Sequence, residues 1–254
     1  MAVQADYVWR ASRRESYTHN CNLAYDPATG LNYDYRDVSH LPYPDWGTVS
    51  CYVADGLSNY HGLETAFNKR FSDRWQASVS YTLAGLWDQM GTRGASNLAP
   101  DLGGEYTLAA TDQRHRAVFN GIWQLGYGFQ LSGLYFFGSG QRYATFYGGD
   151  LRNVGAFQGA PGNRLRPDGT IVPRNDLVGK PIHRVDMRIQ RRFPIFGRAG
   201  IDGMLEVFNL FNHANYGRYT TAEVLGPAAY GRPSQHPNVA YQPRMLQLGF
   251  RFAF

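Results

Sequence analysis

The stretch RMLQLGFRFAF, residues 244–254, decides how the rest of the chain is interpreted. Large apolar residues occupy every second position from Leu246 to Phe254, and the positions between them are mainly polar or small. Side chains of a strand point alternately to its two faces, so this pattern predicts a strand with one apolar face and one mainly polar face. A helix would scatter the same apolar residues around its circumference.

The end of this strand carries a second pattern. Gln247, Gly249, Phe252 and Phe254 resemble the C-terminal signal of bacterial outer-membrane barrels, in which a polar residue, a glycine and two aromatic residues recur at fixed spacing. The resemblance implies that these four residues form a barrel-assembly signal and that the barrel-assembly machinery is a partner. The alternative is the last strand of a soluble β-domain.

Composition excludes several classes of protein. The chain has 254 residues and a net charge of +5, and its 25 Lys and Arg residues are spread along the sequence, so no nucleic-acid-binding stripe is predicted. No apolar run is long enough for a transmembrane helix, although the strands of a membrane barrel need only one apolar face. The start MAVQADYVWR has neither the basic residues nor the apolar core of a signal peptide. Because an outer-membrane protein requires a signal peptide, either residues 1–254 are a C-terminal fragment or the membrane interpretation is wrong. We expect a partial barrel without a signal peptide.

The spacing of the alternating segments predicts the architecture. Strands are predicted at residues 2–10, 59–71, 75–86, 114–126, 129–137, 183–193, 199–210 and 244–254. The connections alternate between short turns, at 72–74, 127–128 and 194–198, and long loops, at 11–58, 87–113, 138–182 and between the last two strands. Loops of this length are uncommon in compact soluble domains, whereas membrane barrels have short periplasmic turns and long extracellular loops. The fold class predicted is all-β, an antiparallel meander of about eight long strands.

Four segments together resemble a known family. They are NYHGLETAFNKRFSDRWQASVSYTLA (59–84), TDQRHRAVFNGIWQLGYGFQLSGLYFFGSGQRY (111–143), LEVFNLFNHANYG (205–217) and PRMLQLGFRFAF (243–254). In this order they resemble the C-terminal part of TonB-dependent outer-membrane receptors. The closest likeness is to the Oar-like type, which carries a carboxypeptidase-regulatory-like domain at its N-terminus.

The resemblance implies a location and partners. Such receptors have a barrel of about 22 strands, a plug domain inside it and an N-terminal segment that contacts TonB. The chain would then be the C-terminal part of such a barrel in the bacterial outer membrane, without a plug domain. The expected partners are outer-membrane lipid, the missing N-terminal strands and plug, TonB through the missing part only, and a bulky nutrient whose identity the sequence does not give.

Few residues suggest a site. Cys21 and Cys51 both fall in the first predicted loop, and in an oxidising compartment they are expected to form a disulfide, with two free thiols as the alternative. Neither a metal site nor a cofactor site is predicted. His115 is expected to have a conformational role at the boundary between loop and strand, with a general base or an anion site near Asp112 as the alternative.

Charged and aromatic residues of the strands have predicted positions as well. Asp186, Arg188, Glu206 and Arg251 fall on polar faces, which line the lumen of a large barrel, so salt bridges are expected there and ligand contact is the alternative. A girdle of aromatic residues at the membrane boundaries is predicted from Trp9, Trp75, Trp87 and Trp123, with ordinary core aromatics as the alternative.

Three functions are compatible with these patterns. The leading hypothesis is part of a TonB-dependent receptor that imports a bulky nutrient. The others are an autonomous small barrel acting as an adhesin or passive pore, and a secreted soluble β-domain that binds carbohydrate. No enzymatic activity is predicted, because no paired carboxylates or activated nucleophile can be identified.

Two structural expectations separate these hypotheses. The first and last strands should not pair with each other. One apolar band should also face outward and include Leu63, Phe67, Val79, Tyr81, Phe119, Leu131, Val207, Leu248 and Phe252.

Overall fold

The computed structural model of the protein describes residues 1–29, 33–89, 105–151, 164–197, 199–234, 236, 238 and 241–253. Its strands are β1 (Ala2–Asn20), β2 (Ser50–Ser72), β3 (Trp75–Asp88), β4 (Thr107–Leu108), β5 (His115–Gly126), β6 (Phe129–Gly138), β7 (Arg142–Tyr143), β8 (Leu177–Val178), β9 (Ile182–Pro194), β10 (Gly200–Phe208), β11 (Arg218–Tyr219), β12 (Pro233–Ser234) and β13 (Met245–Ala253). Short 3-10 turns occur at Val38–His40 and Glu223–Leu225. Within the described ranges, no helix is long and apolar enough to cross a membrane.

The long strands form one antiparallel sheet. Its order is β1-β2-β3-β5-β6-β9-β10-β13, and β4 adds a short pairing to β3. Each long strand pairs with the next long strand along the chain, which is a meander. The all-β antiparallel fold predicted from alternation and spacing is therefore confirmed. The pairs β7-β8 and β11-β12 form two separate two-stranded sheets within the loops.

The first hairpin extends further than predicted. Residues 11–20 and 50–58 were expected to be loop, but they continue β1 and β2 as a paired ribbon from Ala11↔Asn59 to Asn20↔Ser50. The register shifts near Arg14, which has a positive φ of 59°. Backbone pairing needs no apolar side chains, so a ribbon that leaves the apolar band can carry polar residues on both faces. Alternating hydrophobicity therefore predicted only the part of each strand that has one apolar face, and it missed the polar ribbon.

Two of the three predicted short connections are confirmed as tight turns, and the third, at 194–198, includes residue 198, which lies outside the described residues. Asp73 and Arg74, between β2 and β3, have φ angles of 52° and 72°, and Tyr127 and Gly128, between β5 and β6, have φ angles of 50° and 78°. Two consecutive positive φ angles are typical of the type I′ turn, whose twist matches that of the flanking strands. Gly128 has a further reason to be glycine, since a Cβ there would lie 2.8 Å from the carbonyl oxygen of Arg192.

The register gives the sheet one apolar and one polar face. Residues directly opposite each other share a face, so one continuous row of the apolar face is Val3, Phe67, Val79, Phe119, Tyr135 and Val185. None of the nine residues expected to face outward is buried, and Leu63, Phe119, Leu248 and Phe252 are exposed. The register places all nine on the same face, so the predicted apolar band is continuous.

The sheet has two free edges and no sealed core of its own. β1 and β13 are the ends of the strand order, and no pairing joins them within the part of the chain that the structure describes, as expected. The described apolar residues that are buried are Leu41, Ala109, Leu165 and Val172, all of which lie in loops. Apolar packing against protein is therefore concentrated in the loops, while the apolar face of the sheet is open.

Candidate functional site

Three tyrosine–histidine pairs lie on the apolar face, near the end of the sheet that carries the long loops. In each pair a tyrosine hydroxyl hydrogen-bonds with Nδ1 of a histidine on the neighbouring strand, at 2.7, 2.9 and 3.0 Å. Each histidine lies two positions beyond the residue directly opposite the tyrosine, so the three geometries are equivalent. We call this set the Tyr–His belt; its pairs are Tyr7–His61, Tyr81–His115 and Tyr135–His183.

The belt runs at a constant level across a tilted sheet. His61 lies opposite Gly85, whereas His115 lies opposite Leu83, two residues further from the loops. His183 is displaced from His115 in the same direction by the same amount. The offset is therefore one residue per strand. Because neighbouring strands lie about 4.8 Å apart and each residue rises about 3.3 Å along its strand, this offset corresponds to a strand tilt of about 35°. Membrane barrels have this tilt, so the offset between the three pairs is the one expected of a row parallel to the membrane plane.

A second level lies towards the short turns and is both aromatic and cationic. Lys69 Nζ is 4.0 Å from the centroid of the Trp75 ring, and the Arg191 guanidinium is 4.8 Å from the Phe129 ring and 4.9 Å from the Phe193 ring. The second level is eight residues from the Tyr–His belt on each strand. Lys69, Trp123 and Arg191 lie eight residues beyond His61, His115 and His183, respectively.

The two levels enclose a band of membrane dimensions. Eight residues of tilted strand span about 22 Å along the membrane normal, close to the apolar band of about 25 Å in outer-membrane barrels. The predicted tryptophan girdle agrees with these levels. Trp75 and Trp123 are paired near the turns, while Trp9 lies opposite His61 and Trp87 contacts the His61 ring near the loops.

On the polar face, three of the four predicted charges form two ion pairs. Arg188 Nη2 is 2.6 Å from Glu206 Oε1 across β9 and β10, and Arg184 Nε is 2.8 Å from Asp186 Oδ1. Asp186 also accepts a hydrogen bond of 2.8 Å from the backbone N–H of Asn209, at the end of β10. The expected salt bridges are present, one between β9 and β10 and one within β9.

Arg251, the fourth predicted charge, lies opposite Asp202 in the register of β10 and β13. On the other side of Asp202 is Arg192, so the three strands present a row of arginine, aspartate and arginine. Asp202 is buried, and its Oδ1 atom has no hydrogen-bond partner within the described residues. This row places charge near the turn end of the polar face.

The long loops after β3, β6 and β10 pack against one another. We call residues 105–113, 142–151, 164–181 and 215–234 the loop layer. Phe146 pairs with Ala222 across two of these loops, and the Asn175 side chain donates a hydrogen bond of 2.8 Å to the Leu108 carbonyl across two others. The layer contains three of the four buried apolar residues named above, so it has a small core of its own.

Buried arginines connect the loop layer to the sheet. Arg174 is paired with Asp88 at the end of β3, and its Nη1 donates hydrogen bonds of 2.7 and 2.6 Å to the carbonyls of Asp88 and Glu105. Arg164 is paired with the Glu105 carboxylate. Hydrogen bonds to Glu223, the partner of Arg166, raise the pKa of the Arg166 guanidinium. Burial, with a smaller contribution from Tyr219, raises the pKa of Tyr143 to about 12.

The first loop is ordered by a disulfide and one asparagine. Cys21 and Cys51 are joined, with their Cα atoms 5.8 Å apart. Asn22 is fully buried, and its Nδ2 donates to the carbonyls of Tyr43, Trp46 and Gly47 at 3.0, 2.9 and 2.8 Å. The disulfide closes the tip of the β1–β2 ribbon, and Asn22 holds the loop above it.

Some predicted site residues are placed only in part. Gln247, Gly249 and Phe252 lie on β13, with Phe252 on the apolar face, whereas Phe254 lies outside the described residues. His115 lies at the strand boundary, where its interaction with Tyr81 makes it one member of the belt. The sequence interpretation missed the repetition of this pair and the loop layer. The sequence did contain a signal for the belt, namely a tyrosine on one predicted strand and a histidine on the next strand it pairs with, both on the same predicted face.

Comparison with known proteins gives one match. A family model described as an outer membrane beta barrel domain matches residues 1–171 and 153–247. No curated protein and no solved structure matches the chain. The family agrees with the apolar face bounded at two levels, the polar opposite face and the alternation of turns and loops. The chain therefore belongs to the outer membrane beta barrel domain family, and its location is the bacterial outer membrane.

Proposed function

We propose that the chain forms part of the wall of a TonB-dependent receptor barrel that imports a bulky nutrient across the outer membrane. Its role is structural and transport-related, and the proposal assigns it no catalytic activity and no cofactor. The missing strands and plug, TonB and the barrel-assembly machinery are its proposed partners.

The observation that supports this proposal best is the polar face of an open sheet. A closed barrel of eight strands has an interior that side chains must fill. Here the polar face carries ion pairs and the row of Arg192, Asp202 and Arg251, and within the described residues no pairing joins the two edge strands. A wide lumen with further strands between β13 and β1 accommodates such a face.

The test is direct binding to TonB. The protein is extracted from outer membranes in mild detergent, its mass is measured, and its affinity for the purified periplasmic domain of TonB is determined. We expect a polypeptide larger than the 28.6 kDa of this chain, and specific TonB binding. The refolded 254-residue chain is the control and should not bind.

A mature polypeptide of 28.6 kDa that does not bind TonB would contradict the proposal. That result would favour the autonomous small barrel instead. If the larger polypeptide no longer binds TonB after the part N-terminal to this chain is removed, the TonB contact lies outside residues 1–254.

A further inference from the structure

A shallow groove lies on the apolar face where β2 and β3 enter the loops. It has a volume of about 490 Å³ and is lined by Asn59, His61, Trp87 and Tyr106. Two walls are aromatic, and the lining formed by the described residues contains an amide and an imidazole but no carboxylate. The Asn59 amide donates a hydrogen bond of 2.5 Å to the Tyr106 hydroxyl, which joins β2 to the segment before β4.

The local sequence explains why Trp87 faces the groove. Asn59 and Trp87 are directly opposite each other, as are His61 and Gly85, so all four lie on the apolar face. The indole of Trp87 folds back over Gly85, where a Cβ would lie 2.6 Å from the ring. Glycine at this position therefore permits the indole to lie over the strand, with its edge towards the His61 ring at a centroid distance of 6.0 Å.

Cationic groups lie beside the groove. The Arg114 guanidinium is 5.5 Å from the Trp87 ring, and its side chain is 41% exposed. Asp112, 4.0 Å from Arg114 Nη2, is its acidic neighbour and is itself almost completely buried. Arg13 Nη2 donates a hydrogen bond of 3.0 Å to Asn59 Oδ1 from the other side. The accessible charge at the rim is therefore positive.

The level of the groove selects its occupant. His61 belongs to the Tyr–His belt, which marks the boundary of the apolar band on the loop side, and Leu63 and Leu83 lie one step below it on the same face. A ligand in the groove would have its polar part at the level of lipid headgroups and its apolar part beside those leucines. The aromatic walls suit the flat apolar faces of a sugar ring, and Arg114 suits an anionic oxygen.

We propose that this groove binds the phosphorylated saccharide headgroup of a glycolipid in the outer leaflet of the membrane. Trp87 and Tyr106 contact the sugar, Asn59 and His61 offer hydrogen bonds to its hydroxyl groups, and Arg114 pairs with its phosphate. The acyl chains extend along the apolar face. The inference rests on location in the outer membrane and not on TonB-dependent uptake, so either can fail without the other.

The test compares four probes bound to the protein purified from outer membranes and exchanged into a neutral detergent. Native mass spectrometry measures retention of a diphosphorylated acyl-disaccharide, its dephosphorylated form, a soluble diphosphorylated disaccharide without acyl chains, and phosphatidylglycerol. We expect the first probe to be retained about tenfold better than its dephosphorylated form, the difference made by one charge-assisted contact. It should also be retained better than the soluble disaccharide, which lacks the acyl chains, and better than phosphatidylglycerol, which lacks the sugar rings. Equal retention of phosphatidylglycerol or of the soluble sugar would overturn the proposal.

Three variants locate the site. Trp87→Ala and Arg114→Gln should each reduce retention of the first probe about tenfold. Gly85→Ala should reduce retention by a similar factor although it changes no lining residue, because the added Cβ displaces the Trp87 indole. Trp46→Ala and Arg36→Gln, at exposed positions of the first loop, are the matched controls and should bind like the unmodified protein. If Arg114→Gln and Gly85→Ala assemble in the membrane and bind normally, the groove is not the site.

Discussion

The disulfide between Cys21 and Cys51 acts on a single loop. It closes a segment with a sequence separation of 30 residues at the tip of the β1–β2 ribbon, far from the apolar band. A cross-link over a loop of this size destabilises the open state of the loop by roughly 3.6 kcal/mol through lost chain entropy. The segment it closes includes the Asn22 hydrogen bonds, so both features stabilise the same conformation.

We therefore expect Cys21→Ser/Cys51→Ser to open the first loop without affecting membrane assembly. Limited proteolysis of intact cells should cleave within residues 21–49 much faster in the variant, while the remaining strands stay protected. Unmodified cells treated with a reducing agent should show the same cleavage. Cleavage at the same rate in all three samples would mean that the disulfide does not stabilise the loop.

Tyr143 provides a test of loop-layer packing by pH. Its pKa is raised from 10.0 to about 12 because burial disfavours the phenolate. A group with a raised pKa contributes stability below its unfolded pKa, and this contribution is lost as the pH rises from about 10 to about 12.

In an ultraviolet titration, Tyr143→Phe should remove one tyrosine that ionises near pH 12, and should leave the ionisation near pH 10 unchanged. The loop layer of this variant should also be less sensitive to alkaline pH. Loss of a tyrosine that ionises near pH 10 would show instead that Tyr143 is exposed to solvent.

At the scale of the strand, neighbouring residues have opposite environments. Phe119 lies midway between His115 and Trp123 on the apolar face, and Asn120 is next to it on the polar face. Both side chains are exposed on the sheet, so their exposure alone does not distinguish them. What distinguishes them is the solvent, which is lipid on one face and lumen on the other.

We expect Phe119→Arg to destabilise the assembled protein by about 2–4 kcal/mol, the cost of an arginine at the middle of the bilayer. Asn120→Arg, the matched control, should cost less than about 1 kcal/mol, since a charge on the polar face remains hydrated. Urea unfolding in lipid vesicles measures both. Equal costs, or a larger cost at Asn120, would reverse the assignment of the two faces.

The Tyr–His belt also belongs to this scale. Each pair joins two strands that a long loop connects, namely β1 and β2, β3 and β5, and β6 and β9. The pairs thus hold the strands together at the boundary of the apolar band on the loop side.

Over the whole molecule, the loop layer forms a second packed unit at one end of the sheet. Arg174 is central to it because it joins the end of β3, the segment before β4 and the loop after β6. Removal of one partner from a buried ion pair leaves the other charge without compensation, at a cost of about 3–5 kcal/mol.

Arg174→Ala should therefore loosen the whole layer. Hydrogen exchange should increase in residues 105–113, 142–151, 164–181 and 215–234, while the long strands stay protected. Arg36→Ala, at an exposed position of the first loop, is the control. If exchange increased only at residue 174 and its neighbours, the loops would pack independently of one another.

Particular residues show how much of this could be predicted from the sequence. Alternation from Leu246 to Phe252 gave the last strand and its apolar face, and the tight turns at Asp73 and Tyr127 were predicted from local residues. The limits of β1 and β2 were wrong, because residues 11–20 and 50–58 pair through the backbone without an apolar pattern. The charges Asp186, Arg188 and Glu206 were assigned to the correct face, but their ion-pair partners could not be given with certainty.

The sequence by itself determined the faces of the strands and the positions of the turns at Asp73 and Tyr127, because these depend on residues close together in the chain. Only the tertiary structure decided the register across the long loops, since a loop of many residues leaves two strands free to slide. The Tyr–His belt, the groove at Trp87 and the packing of the loop layer all lie across such connections. For that physical reason they became visible only when the strands were assembled into one sheet.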